Sequence, residues 1–198
     1  MKPFRTANAL GYYSSDDDED STVYKNKQQV KTVPVTLEYY VGKWYQVYAS
    51  LGPLVTFELG GRNTTAEYGF TETQGVLSVY NRNEPSLLPP QDIRGWAKAS
   101  KTTPGVFSVT LGVSAASTSD RAKFTEPGNY WVIGLGPLVN NLYDWAVVTN
   151  STKSQLYILC RNPRRFHDHY EKAVLYMVKN MGFTSTWSAP RKTEHTHM

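Results

Sequence analysis

The only cysteine of this 198-residue sequence is its strongest candidate for nucleophilic chemistry. Cys160 lies in the segment QLYILCR, whose residue types indicate a β-strand. Side chains alternate along a strand, so Tyr157, Leu159 and Arg161 share one face, whereas Ile158 and Cys160 share the other, under the helix that follows. We therefore predict a buried, inert thiol rather than a catalytic one. A single cysteine also excludes an intramolecular disulfide, which favours a reducing compartment.

The four histidines do not form a convincing metal site. His167 and His169 are two residues apart on a predicted helix, so their side chains diverge. His195 and His197 are too few, and we expect the end of the chain that carries them to be mobile. The sequence also lacks a G-x-S-x-G elbow, a phosphate-binding glycine loop and an H-E-x-x-H motif. It therefore predicts no catalytic residue, no metal and no cofactor.

Both ends of the chain have the composition of disordered segments. Residues 1–32 contain the acidic run Asp16–Asp20, which repels itself and offers nothing to bury, so they predict a disordered acidic arm. Residues 189–198, which include RKTEHTHM, predict a second disordered tail. The folded domain is then expected over 33–188, which is long enough for one core.

Charge and hydropathy restrict the partners and the compartment. No segment has the apolar length of a signal peptide or of a membrane span. These features favour a cytoplasmic or membrane-peripheral protein, or a secreted one whose signal has been removed. The net charge of +4 suits anionic ligands or membrane headgroups, but no clustered basic face points to nucleic acid.

Eight short segments have the residue types of β-strands. Each is rich in Val, Tyr, Trp, Phe or Thr, and most are separated by Gly, Pro, Asn or Ser. They are, in order, KWYQVYASL, NTTAEYGF, GVLSVYNRN, DIRGWAKAS, GVFSVTLGV, NYWVIGLG, YDWAVVTN and QLYILCR. Eight antiparallel strands in simple succession predict an all-β fold, either an up-and-down barrel or a sandwich.

The hydrophobic period changes after the eighth strand. Between Arg164 and Met181, apolar residues recur at helical spacing, with Pro163 before the run and Gly182 after it. We therefore predict one amphipathic helix over about 164–181, packed against the outside of the sheet.

A set of motifs, taken in order, resembles the lipocalins. Gly42-x-Trp44 opens the first strand, NYWVI forms the sixth, YDWAVV the seventh, and LYILCRNP the eighth, immediately before the helix. The pattern is most similar to the branch that contains the bacterial lipocalins, the plant temperature-induced lipocalins and apolipoprotein D, and it extends from about Pro34 to Trp187. The resemblance implies an eight-stranded antiparallel up-and-down barrel with one C-terminal helix outside.

In such a barrel the first strand begins beside the end of the eighth, at the closed end. Gly42 would let the backbone bend into the strand. Trp44 would seal the floor, and Arg161 would lie across its indole ring in a cation–π contact. These three residues form a predicted structural motif rather than a catalytic site.

The same barrel would enclose one small ligand. Alternation from Arg161 turns Tyr157 and Leu159 inward, and alternation from Trp44 does the same for Gln46 and Tyr48. Similarity to apolipoprotein D adds further positions to the lining. The predicted ligand-binding residues are Tyr48, Tyr68, Asn81, Leu111, Tyr130 and Tyr157.

Two classes of function follow from that lining. The favoured one is non-enzymatic binding, transport or scavenging of a fatty acid, a lysophospholipid or a similar lipid. The alternative is a lipocalin-fold enzyme that acts on a lipid or isoprenoid, of the isomerase or de-epoxidase type. Leu87 and Leu88, in the loop over 83–91, would either cover the barrel mouth or dip into a membrane.

Overall fold

A closed antiparallel barrel forms the centre of the molecule. The computed structural model describes residues 30–55, 61–85, 88–112 and 123–196. Within these ranges, eight strands follow each other around the barrel in the order β10-β9-β6-β5-β4-β3-β2-β1, and β10 pairs with β1 to close it. They are β1 (Gly42–Ala49), β2 (Arg62–Phe70), β3 (Val76–Glu84), β4 (Gln91–Ala99), β5 (Val106–Leu111), β6 (Tyr130–Leu135), β9 (Trp145–Thr149) and β10 (Leu156–Cys160). The predicted fold class is confirmed.

A small hairpin interrupts the simple succession of strands. The strands β7 (Leu138–Val139) and β8 (Leu142–Tyr143) pair only with each other. Asn140 and Asn141 connect them with φ of 51° and 61°. Asparagine tolerates positive φ better than most residues, and such a two-residue turn matches the twist of a hairpin.

The side chains divide between an inner and an outer hydrophobic cluster. Alternation along each strand sends one set into the barrel and the other toward the C-terminal helices. The inner cluster is built around Tyr40, Trp44, Tyr68, Phe107, Val132 and Leu159. The outer cluster includes Val47, Ile158, Cys160, Phe166, Val174 and Val178.

The C-terminal helical segment covers the outer cluster, as predicted, but it is divided in two. The helices are α3 (Pro163–His169) and α4 (Glu171–Asn180), and Tyr170 separates them with φ −117°. Asn162 caps α3 by accepting a hydrogen bond from the backbone N–H of Arg165 at 2.9 Å. Two short helices lie earlier, α1 (Leu37–Tyr40) and α2 (Leu51–Val55). Among helices in the described ranges, none is long and apolar enough to cross a membrane.

The prediction of a disordered tail over 189–198 is wrong for most of that segment. Arg191–Lys192 forms β11, which pairs antiparallel with Tyr48 and Ala49 of β1. The next residue continues the pairing, because the Thr193 N–H donates to the Val47 carbonyl at 2.9 Å. Residues 1–29 of the predicted arm, and residues 197 and 198, lie outside the described ranges.

The tail fills a gap between β1 and β2. These two strands pair only from Gly42–Tyr45 to Tyr68–Thr65. Beyond that point the tail bonds to both, since the Asn63 N–H donates to the Glu194 carbonyl at 2.9 Å. Backbone groups at the edge of a strand require partners, and the tail supplies them here.

Candidate ligand-binding site

The closed end of the barrel is sealed by stacked side chains. Trp44 is completely buried, and the guanidinium carbon of Arg161 lies 3.7 Å from the centre of its ring. The indole N–H of Trp44 donates to the carbonyl of Tyr40 at 2.8 Å, which fixes α1 under the barrel. The predicted contact between Arg161 and Trp44 is therefore present.

Arg161 also holds the backbone at the floor in place. Its Nη atoms donate to the carbonyls of Lys43 and Val41, both at 2.8 Å, and of Tyr40 at 3.0 Å. Burial lowers the pKa of Arg161 to about 10, so the guanidinium remains charged at neutral pH. Its hydrogen-bond donors are directed to backbone carbonyls rather than into the barrel.

Gly42 lets the backbone bend into β1, as the sequence predicted. Its φ is +93°, a conformation that other residues rarely adopt. A Cβ at this position would also lie 3.3 Å from Nη1 of Arg161. Glycine therefore permits both the bend into β1 and the close approach of the guanidinium.

A cavity of about 330 Å³ lies above the floor. Five of the six predicted ligand-binding residues line it, namely Tyr68, Asn81, Leu111, Tyr130 and Tyr157. The rest of the lining mixes apolar and uncharged polar side chains and consists of Gln46, Pro53, Thr64, Thr65, Ala66, Val79, Val109, Asn129, Gln155 and Leu159. None of these described lining residues carries a formal charge.

The prediction that Tyr48 points inward is wrong. The register between β1 and β10 shifts between Gln46 and Tyr48, because Val47 adds one residue to β1. Such a bulge reverses the alternation beyond it. Tyr48 accordingly joins the outer cluster and donates a hydrogen bond to the Glu171 carboxylate. Burial, followed by that carboxylate, raises the pKa of Tyr48.

Three tyrosine hydroxyls meet at the bottom of the cavity. The Tyr40 and Tyr130 hydroxyl oxygens are 2.6 Å apart, and the Tyr68 hydroxyl donates to that of Tyr130 at 2.9 Å. Burial is the main reason that the pKa of Tyr68 rises to about 12, and it raises those of Tyr40 and Tyr130 well above the usual 10. All three groups are therefore protonated hydroxyls at neutral pH.

Two further polar atoms of the wall lack a hydrogen-bond partner among the described residues. They are Oγ1 of Thr64 and Oδ1 of Asn81, and both residues line the cavity. Buried polar atoms are seldom left unpaired in native proteins, so an unpaired pair at a cavity wall is a feature of ligand sites.

Cys160 faces away from this cavity. It is buried in the outer cluster, beneath the helices, as alternation along β10 predicted. Burial raises the pKa of its thiol, which disfavours the reactive thiolate. Across the described ranges, no group of three or more His, Cys, Asp and Glu side chains is arranged to hold a metal ion.

The family follows from the sequence and agrees with this geometry. A family model for a lipocalin-like domain matches residues 35–189, which is more than half of the chain. The chain therefore belongs to the lipocalin-like family, and the resemblance seen in the sequence is confirmed at that level. Its relation to one particular branch stays a prediction.

Solved structures support the same fold. The chain is similar to apocrustacyanin C2, with 14% identity and a TM-score of 0.56 over 82% of this chain and 81% of that chain. For apocrustacyanin C1 the values are 14% and 0.55 over 81% and 80%. At such low identity the likeness concerns the fold alone. A search of curated proteins gives no significant match.

One contributor to the site was not found by sequence reasoning. Tyr40 lies on α1, and alternation along strands says nothing about a residue on a helix. Its position four residues before Trp44 was the available signal, because that spacing lets the indole N–H reach the Tyr40 carbonyl.

Proposed function

We propose that the protein binds a small hydrophobic ligand, a lipid of the fatty acid or lysophospholipid kind or a similar one, inside the barrel and performs no chemistry on it. The observation that carries the proposal is the cavity of about 330 Å³ above a sealed floor. Its apolar and aromatic lining with a few uncharged polar groups is typical of sites for small lipophilic molecules.

The expected affinity suits a carrier or scavenger. Burying about 12 methylene groups at roughly 0.8 kcal/mol each contributes on the order of 10 kcal/mol before costs. Loss of translational and rotational freedom offsets at least about 4 kcal/mol of this. The remainder of about 6 kcal/mol corresponds to a dissociation constant of some tens of micromolar.

A cavity-filling variant tests the proposal. Ala66 lines the cavity, and Ala66→Phe should occupy its lower part and weaken binding of a neutral fluorescent lipid probe at least tenfold. Glu67→Phe places the same side chain on the exposed outer face of β2 and serves as the control. Native mass spectrometry of the purified protein should also show a bound lipid. Equal probe binding by both variants would contradict binding inside the barrel.

The enzymatic alternative has no observation in its favour. An isomerase that uses a cysteine needs the thiol inside the barrel, and Cys160 lies outside it. The described residues that line the cavity include no Cys, His, Asp or Glu, which are the usual acids, bases and nucleophiles. A lipid or isoprenoid substrate would meet only hydroxyl and amide groups there.

The loop over 83–91 has two candidate roles, a cover of the barrel mouth, which we favour, and a contact with a membrane surface. The side chain of Leu88 lies between β3 and β4 and is exposed, whereas Leu87 is outside the described residues. The double variant Leu87→Ser/Leu88→Ser distinguishes these two roles. Two measurements are needed, vesicle co-sedimentation and binding of a fluorescent fatty acid in solution. Weaker solution binding alone supports the cover of the barrel mouth that we favour, and lost sedimentation alone supports membrane docking.

A further inference from the structure

The tyrosine cluster at the bottom of the cavity has one hydrogen-bond donor left over. Three hydroxyls carry three hydrogens, and the two bonds within the cluster use two of them. Tyr68 donates to Tyr130. If Tyr40 does the same, the remaining hydrogen belongs to Tyr130.

This arrangement is the one that leaves no buried hydroxyl without an acceptor. Tyr40 is almost completely buried and is not among the described residues that line the cavity, so a free hydrogen on it would have no partner. Tyr130 lines the cavity and is only partly buried. Its hydroxyl can accept from both neighbours and donate upward, into the space that a ligand would fill.

The charge of the site selects a neutral partner for that donor. None of the described cavity-lining residues is cationic, and Arg161 below the floor directs its donors to backbone carbonyls. An ionised carboxylate at the bottom of the cavity would lose its hydration without gaining an ion pair, which is strongly unfavourable. A carbonyl or alcohol oxygen loses far less and accepts the same hydrogen bond.

A second polar position lies higher on the wall. Asn81 pairs with Ala66, two residues along β2 from Tyr68, so its backbone lies about 7 Å farther along the barrel wall than that of Tyr68. Its unpaired Oδ1 can accept a hydrogen bond from a ligand hydroxyl. The two positions suit an oxygenated lipid rather than a plain hydrocarbon.

We propose that the ligand enters the barrel with a neutral oxygen first and that Tyr130, supported by Tyr40 and Tyr68, donates a hydrogen bond to it. The preferred class is a neutral lipid with a carbonyl or hydroxyl at its buried end, in preference to an ionised fatty acid held in that orientation. This assignment rests on the proposed function, since it requires a ligand inside the barrel.

Probes with twelve carbons test the assignment: dodecane, 2-dodecanone and dodecanoate, each competing with a neutral fluorescent probe at pH 7.5. Wild-type protein should bind the ketone about 3- to 10-fold more tightly than the double variant Tyr68→Phe/Tyr130→Phe does, the range expected for one net hydrogen bond, whereas dodecane should bind both proteins alike. This variant removes the hydroxyls of two cavity-lining residues and keeps their rings, so it should lose affinity for the ketone while still binding dodecane. Tyr176→Phe, at an exposed position on α4, is the control.

A spectroscopic measurement on the wild-type protein decides the matter even if the double variant does not fold. The infrared carbonyl band of bound 2-dodecanone should shift to lower frequency than in hexane. The assignment is overturned by an unshifted band, by the same ratio of ketone to alkane affinity in wild type and in the double variant, or by a loss of dodecanoate affinity in that variant as large as the loss for the ketone. If neither ketone nor alkane binds to wild type, the proposed function itself is wrong.

Discussion

The two halves of β1 share β10 on one side but have different neighbours on the other. From Gly42 to Tyr45, β1 pairs directly with β2. From Val47 to Ala49, the C-terminal tail takes that place. The floor half of β1 lies between β2 and β10, whereas the other half lies between β10 and the tail.

The tail contacts β1 at a residue that also lines the cavity. Gln46 lines the cavity, and its side-chain amide donates to Oγ1 of Thr193 in the tail at 3.2 Å. The ring Nε2 of His195 donates to the Gln46 carbonyl at 2.7 Å, because a carbonyl can only accept. Only the Gln46 side chain therefore separates the tail from the cavity. Variants can test how much each half of β1 contributes to the stability of the barrel.

The largest effect is expected at the floor. Trp44→Ala should lower the free energy of unfolding by roughly 3–5 kcal/mol, because it leaves a void under the inner cluster and removes the surface on which Arg161 rests. Thermal and urea unfolding measure the loss. Trp187→Ala, at an exposed side chain, is the matched control and should change little. An unchanged melting temperature for Trp44→Ala would show that the indole does not hold the floor.

Arg161→Ala should act in the same direction with a smaller effect, roughly 2–3 kcal/mol. The side chain bonds several backbone carbonyls, and charge-assisted hydrogen bonds are stronger than neutral ones. Arg161→Lys keeps the charge but not the planar fork, so it should recover only part of the loss. Full recovery by lysine in urea unfolding would mean that charge alone matters at this position.

Sequence reasoning succeeded for β10 and failed for the second half of β1. Alternation from Arg161 correctly placed Tyr157, Leu159 and Cys160, because β10 is regular. Alternation from Trp44 failed at Tyr48, since nothing in VYAS announces a bulge at Val47. A bulge depends on how two distant strands meet, and one strand's sequence does not contain that information.

The ordered structure of the tail was not predicted, for a related reason. Its residues are polar and have neither strand periodicity nor apolar surface, so composition indicated disorder. It is ordered because β1 and β2 separate and leave backbone groups that any sequence could pair. By contrast, five of the six predicted ligand-binding residues do line the cavity, because their positions follow from the family's pattern of strands.

Removal of the tail should affect the open half of the barrel only. A chain that ends at Pro190 loses the β11 pairing and six further hydrogen bonds to β1 and β2, so we expect about 3 kcal/mol less stability and several-fold faster ligand dissociation. Hydrogen exchange should increase at the backbone N–H of Asn63, which donates to the tail, but not at that of Trp44. Unaltered ligand dissociation would show that the tail does not control the cavity wall.

The smallest expected effect is a pH dependence of the tail. Burial lowers the pKa of His195 below its usual 6.5, so below about pH 6.5 the folded chain binds fewer protons than the unfolded chain. Stability from the tail should therefore fall with falling pH, and repulsion from the nearby His167 lowers the pKa of His195 in the same direction. We expect the difference in unfolding free energy between the full chain and the chain ending at Pro190 to shrink from pH 7.5 to pH 5 without vanishing, since the β11 backbone bonds do not titrate. His195→Phe retains a ring beside Tyr45 and should make that difference independent of pH. A difference that stays constant in the unmodified sequence, or that grows on acidification, would rule out His195 as the titrating group.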